Sequence, residues 1–143
     1  MKKIAIFASG SGTNFQQICE YFQNNNQVKV DVLIVNKKNA YVRQRATNLG
    51  IEDFYFDRAD FYESAKVLEL LQARNIDLIV LAGFLWLIPQ NLITAFPNKI
   101  INIHLLPLFH RFTCFITILL TFHTVFSKFN LLYLFLKEWC YLI

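Results

Sequence analysis

Asn102 and His104 stand one residue apart at the end of an apolar run, Ile100-Ile101-Asn102-Ile103-His104. On a strand, residues two apart share a side, so the amide and the imidazole would face the same way. An Asn donor beside a His suits a carbonyl whose oxygen gains negative charge during reaction. The tripeptide is common, and a His near a strand end is more often structural, so the pair needs company before it means catalysis.

Two further stretches supply it. Ser9-Gly10-Ser11-Gly12-Thr13-Asn14 lies between an apolar run and an amphipathic segment. Free backbone amides at a helix start favour a phosphate, and glycine permits close approach. Phe15 stands where the dinucleotide fingerprint has its third Gly, and no Lys follows Gly12 as a Walker loop requires. A monophosphate fits better than a dinucleotide, with a merely tight strand-to-helix turn as the plain alternative. Gly83-Phe84-Leu85-Trp86-Leu87-Ile88 places large apolar side chains directly after another apolar run. It suits either a slot for a flat heteroaromatic ring or ordinary core. Arg58 could meet an anionic ligand tail or stand as a solvated charge.

The elements that must position these groups alternate. Short continuous apolar runs predict buried parallel strands over Lys3–Ala8, Val28–Val35, Phe54–Phe56, Asp77–Gly83 and Ile100–Ile103. Between them, spacing predicts helices over Phe15–Phe22 (Ile18, Tyr21 and Phe22 on one face), Tyr41–Leu49 and Phe61–Arg74. Gly50 is expected just past the second helix, and Phe61, Ala65, Leu68 and Leu71 stand at helical spacing along the third. Pro89 is expected in the first turn of a short helix ending near Ala95. Strand–helix alternation implies right-handed crossovers and an α/β fold with a Rossmann-like parallel sheet. In such sheets ligands bind beyond the carboxyl ends of the strands, where the three stretches would converge.

Composition changes at His104. All four glycines and nine of the ten acidic residues precede it, and Glu138 is the single acid after it. The formal charge of +4 divides evenly between the two parts, and neither carries the dense basic patch that nucleic-acid binding needs. Cys19, Cys114 and Cys140 form no C-x-x-C pair and no ligand spacing with His, which points to free thiols in a reducing compartment and to no metal. The apolar run after Met1-Lys2-Lys3 is too short for a signal peptide and reads as a first strand.

Taken together, Ala8-Ser9-Gly10-Ser11-Gly12-Thr13-Asn14, Leu81-Ala82-Gly83-Phe84 and Ile101-Asn102-Ile103-His104, in this order and spacing, resemble the phosphoribosylglycinamide formyltransferase family. These are folate-dependent enzymes of purine synthesis, and the resemblance covers about Lys3 to His104. It implies a cytoplasmic enzyme that moves a formyl group from 10-formyltetrahydrofolate, as cosubstrate, to the amine of 5′-phosphoribosylglycinamide. By resemblance, Gly12, Thr13 and Asn14 bind the ribotide phosphate and glycinamide side. Leu85, Trp86, Leu87 and Ile88 line the folate pocket, with Trp86 where the family often has Arg, and Arg58 matches a folate-contacting Arg. Asn102 and His104 are catalytic: Asn102 donates a hydrogen bond to the tetrahedral oxyanion, and protonated His104 stabilises it and takes part in proton transfer.

After His104 the resemblance fades. The family continues with Pro-Ser-Leu-Leu-Pro, whereas here Leu105-Leu106-Pro107 follows directly. The family later supplies an Asp that pairs with the catalytic His, and no Asp or Gly occurs here beyond His104. Residues 1–104 therefore read as a partial formyltransferase-like domain and residues 105–143 as a divergent hydrophobic tail. A frame slip near His104 is the favoured explanation of the tail. A membrane segment is the alternative, since Phe112–Ser127 lacks Asp, Glu, Lys and Arg, but its 16 residues fall short of the ~20 needed to span. The competing functional reading is thus a catalytically inactive remnant with a hydrophobic, membrane-associated tail.

Overall fold

The computed structural model describes residues 1–103. Five strands, β1 (Lys2–Ala8), β2 (Val28–Val35), β3 (Glu52–Tyr55), β4 (Leu78–Ala82) and β5 (Ile100–Ile103), form one sheet in the order β3-β2-β1-β4-β5. Every pairing is parallel. The intervening helices are α1 (Thr13–Phe22), α2 (Val42–Asn48), α3 (Arg58–Tyr62), α4 (Lys66–Ala73) and α5 (Gln90–Ala95). The chain runs outward from β1 to β3, then returns to β4 on the other side of β1. That reversal makes the carboxyl ends of β1 and β4 the switch point, where open α/β sheets hold ligands.

The central strands are apolar because both of their faces are covered. Ile4 to Ala8 of β1 and Val32 to Val35 of β2 are all buried. Ala5, Phe7, Val32, Ile34, Ile79 and Leu81 pack on one side with Phe61, Val67, Leu71 and Leu92 from α3, α4 and α5 and with Phe96 just after α5. The opposite face meets α1 and α2, which bury Phe15, Ile18, Cys19, Phe22, Val42 and Ala46. Burial and neighbouring Glu20 push the Cys19 thiol up to about 12, so it stays a neutral core group.

Strand positions follow the apolar runs closely, and Gly50 occupies the left-handed position after α2 with φ 66°. Three expectations need correction. The single helix expected over Phe61–Arg74 is two, because the Ser64 hydroxyl donates to the Asp60 carbonyl at 2.7 Å and closes α3 before α4 begins. Phe61 and Leu71 are buried and Leu68 packs half-buried on the core as their spacing suggests, whereas Ala65 is exposed and Val67 is buried instead. Tyr21 is exposed, and Cys19 instead fills the inner stripe of α1. Pro89 caps α5 in an extended conformation (φ −71°, ψ 155°) and does not sit within its first turn.

Candidate functional site

The β1–α1 and β4–α5 loops both begin where a strand ends on the same sheet edge, the edge at which β5 carries Asn102, and Ser9 joins the two loops. Its side chain is buried. The Ser9 amide donates to the Gly83 carbonyl at 3.2 Å, and its Oγ accepts from the Leu85 amide at 2.9 Å. The β1–α1 loop and the β4–α5 loop are thereby tied together across the switch point.

Gly12 begins α1 in a left-handed conformation, φ 77°, with no side-chain cap. Its carbonyl accepts the first helical bond, from the Gln16 amide at 3.0 Å. The amides of Thr13, Asn14 and Phe15 precede that bond and carry the positive end of the helix dipole. A Cβ on Gly12 would overlap the side chain of Val42, which is fully buried on α2. Glycine at this position therefore serves the packing of the loop on α2, a reason the sequence did not disclose. The Gly10 carbonyl accepts from the Val42 amide at 3.1 Å, fixing the loop from the same side. Thr13 is exposed and Asn14 half-buried.

The β4–α5 loop alternates. Leu85 and Leu87 are exposed, at 69% and 84%, while Trp86 and Ile88 pack against the core. Trp86 lies 5.4 Å from the Phe61 ring, 5.9 Å from Tyr62 and 6.2 Å from Phe84. Phe84 in turn meets Phe7 at 5.3 Å edge to face. The two readings of this stretch therefore divide by residue: Trp86 and Ile88 are core, and Leu85 and Leu87 offer apolar surface at the sheet edge.

Arg58 opens α3 and lies over the Tyr62 ring, 5.5 Å from its centre. The Tyr62 hydroxyl donates to the Leu87 carbonyl at 3.0 Å. Arg58 is thus linked through Tyr62 to the β4–α5 loop. Asn102 is exposed on β5 and pairs in register with Leu81, which pairs with Phe7. Cross-strand partners share a face, so Asn102 lies on the sheet face that carries Phe7, Phe61 and Phe84. His104 falls outside the described residues, as does the tail.

Sequence reasoning missed Ser9 as a linker, Tyr62, Arg45 and Asn36. Asn36 follows the last residue of β2 and is 8% exposed, and its Oδ1 has no hydrogen-bond partner among the described residues. Nothing in the sequence separates these side chains from solvated polar groups, because their meaning comes from contacts between distant segments. Among the described residues, no group of three His, Cys, Asp or Glu could hold a metal, and no helix is long and apolar enough to cross a membrane.

Comparison with known proteins gives this geometry a lineage. The formyl transferase family pattern matches residues 2–113. Phosphoribosylglycinamide formyltransferase of Bacillus subtilis is 38% identical over 116 residues, covering 76% of this chain and 60% of that protein. The chloroplastic enzyme of Arabidopsis thaliana is likewise 38% identical, with 76% of this chain and 40% of that protein covered. The crystal structure of glycinamide ribonucleotide transformylase 1 from Geobacillus kaustophilus superposes with a TM-score of 0.68 at 40% identity, over 76% of this chain and 62% of the other. The corresponding protein from Symbiobacterium toebii gives 0.67 at 39% identity, over 76% and 55%. The chain therefore spans about three-fifths or less of each of these relatives. With the sheet order, the uncapped α1 loop and the Asn102 strand all in place, the chain belongs to the formyl transferase family.

Proposed function

We propose that this protein acts, as its relatives' name says of them, in formyl transfer to phosphoribosylglycinamide, with 10-formyltetrahydrofolate as the formyl donor and the cytoplasm as its place. The observation that carries this reading is the Ser9 junction, which draws the phosphate-type loop and the apolar loop to one sheet edge beside Asn102. Thr13 and Asn14 amides at the α1 start suit the ribotide phosphate. Leu85 and Leu87, next to Trp86 and Ile88, suit a flat pterin ring, and Arg58 suits the anionic tail beyond it.

In the reaction so assigned, the ribotide amine attacks the formyl carbon. The new C–N bond forms as the carbonyl π pair moves onto oxygen, and Asn102 donates a hydrogen bond to that oxygen. The amine then loses a proton, the bond from the formyl carbon to the folate nitrogen breaks, and that nitrogen takes a proton. His104 is assigned to stabilise the oxyanion and take part in proton transfer. No Asp follows it in this sequence to hold its ring.

That last feature gives the second reading its weight: a chain that binds the ribotide without turning it over. Titration calorimetry with phosphoribosylglycinamide and a formyl-transfer assay, both on the 143-residue chain, separate the two. Turnover supports the enzyme, and binding without turnover supports the inactive remnant. Failure to bind the ribotide overturns both.

A further inference from the structure

Arg45 belongs to α2, a helix that carries none of the residues assigned above, yet its side chain ends on the β1–α1 loop. Its Nε donates to the Ser11 carbonyl at 2.8 Å, and its Nη1 donates to Oε1 of Gln16. These two acceptors bracket Gly12, Thr13 and Asn14 in the chain. The Tyr41 ring holds the guanidinium from another side, 5.1 Å away. Arg43 and Arg74 pair with carboxylates, the first with Asp53 and the second with Asp31 and Glu52. Arg45 forms no ion pair among the described residues. It is a held cation, with donors to spare, beside an uncapped helix start.

We propose that Arg45 is a positioning residue for the phosphate end of the ligand. By holding the Ser11 carbonyl it fixes the Ser11–Gly12 peptide, whose N–H points opposite to that oxygen, and its uncompensated charge strengthens the hold of the Gly12–Asn14 amides on the phosphate of a sugar phosphate. This rests on the ribotide reading above and adds a residue from a second helix to it. A carbonyl left free beside those amides would repel the same anion.

The test is calorimetry on the full chain with phosphoribosylglycinamide and, separately, a non-reactive 10-substituted tetrahydrofolate analogue. Circular dichroism verifies folding of each variant. Arg45→Ala is expected to weaken ribotide binding about 10-fold in 20 mM KCl, in line with loss of a charge-assisted contact. The loss should shrink in 500 mM KCl, because screening acts on the charge. Folate-analogue affinity should stay within about twofold, which a general structural role would not leave unmoved. Unchanged ribotide affinity in folded Arg45→Ala, or equal loss for both ligands, overturns the proposal. If Arg45→Ala does not fold, Gln16→Ala decides: a ribotide-specific loss of at least about threefold supports it, and no change overturns it. A parent chain that binds the folate analogue but not the ribotide overturns the ribotide reading itself, and the role of Arg45 with it.

Discussion

The two ends of the sheet are finished in opposite ways. At the amino end, polar groups are matched. Lys2 Nζ donates to Asp77 at 2.8 Å, the Lys3 amide donates to the other oxygen of Asp77 at 2.9 Å, and Arg74 joins Asp31 to Glu52 while lying 5.0 Å from the Phe54 ring centre. At the carboxyl end, hydrogen bonds tie the loops together, but among the described residues the matching is incomplete. Among the described residues, the first amides of α1 have no side-chain cap, Asn36 Oδ1 is buried without a donor, and Leu85, Leu87 and Asn102 are exposed. An unpaired buried carbonyl costs about 1–3 kcal/mol, and exposed leucines contribute no burial. Among the described residues the chain satisfies these demands at one end and leaves part of them open at the other, as a sheet does when one edge maintains the fold and the other receives ligands.

Breaking what the two ends share gives the largest expected effect. Phe61 is fully buried between Phe7, Phe84 and Trp86, so it supports both the core and the β4–α5 loop. Phe61→Ala should cost about 3–5 kcal/mol, read as a lower urea midpoint, and should disturb Trp86 fluorescence. Asn102→Ala touches only the carboxyl edge. Formyl transfer should fall about 10²–10³-fold, as for loss of one oxyanion donor, while stability moves by less than about 0.5 kcal/mol because the residue is exposed. A large stability loss in this variant would show that Asn102 is structural and that the edges do not differ as argued.

The contrast also explains what could be read from the sequence. Strands such as Val28–Val35 were legible because burial on both faces, complete here from Val32 to Val35, demands continuous apolar runs. Gly12 was legible as special, yet for an incomplete reason, since its contact with Val42 joins segments thirty residues apart. Trp86 shows the reverse case. Composition could not choose between core and ligand slot, and alternation along the loop divides the stretch between the two. The break between α3 and α4 was missed because Phe61, Leu68 and Leu71 keep helical spacing across it, while the stop is a side-chain hydrogen bond from Ser64.

Gly12→Ala sharpens the comparison at intermediate cost. The new Cβ must displace Val42 and adopt a left-handed φ, for which about 2 kcal/mol of destabilisation is expected. The double variant Gly12→Ala/Val42→Ala should relieve the overlap and leave only the backbone strain together with the lost Val42 burial. The two changes should therefore couple in a double-mutant cycle. Additive effects would mean that the loop does not rest on α2 as described.

The smallest effect lies at the matched end. Burial favours the neutral form of the Asp77 carboxyl, but the hydrogen bonds from Lys2 and from the Lys3 amide, with the charges of Lys2 and Lys99, outweigh it and hold the group below its ordinary value. A carboxylate held low in the folded state adds stability above its unfolded pKa near 4, and loses it as pH falls through the lower folded value. The parent chain should therefore lose more of its Tm than Asp77→Asn does as pH drops from about 4 toward 2. Lys2 is 57% exposed, so screening keeps the difference under about 1 kcal/mol and 0.5 M KCl should reduce it further. Ribotide binding at neutral pH should be the same in both chains, because Asp77 lies at the opposite end of the sheet from the α1 loop. A change in ribotide affinity in Asp77→Asn would mean that the two edges are not independent.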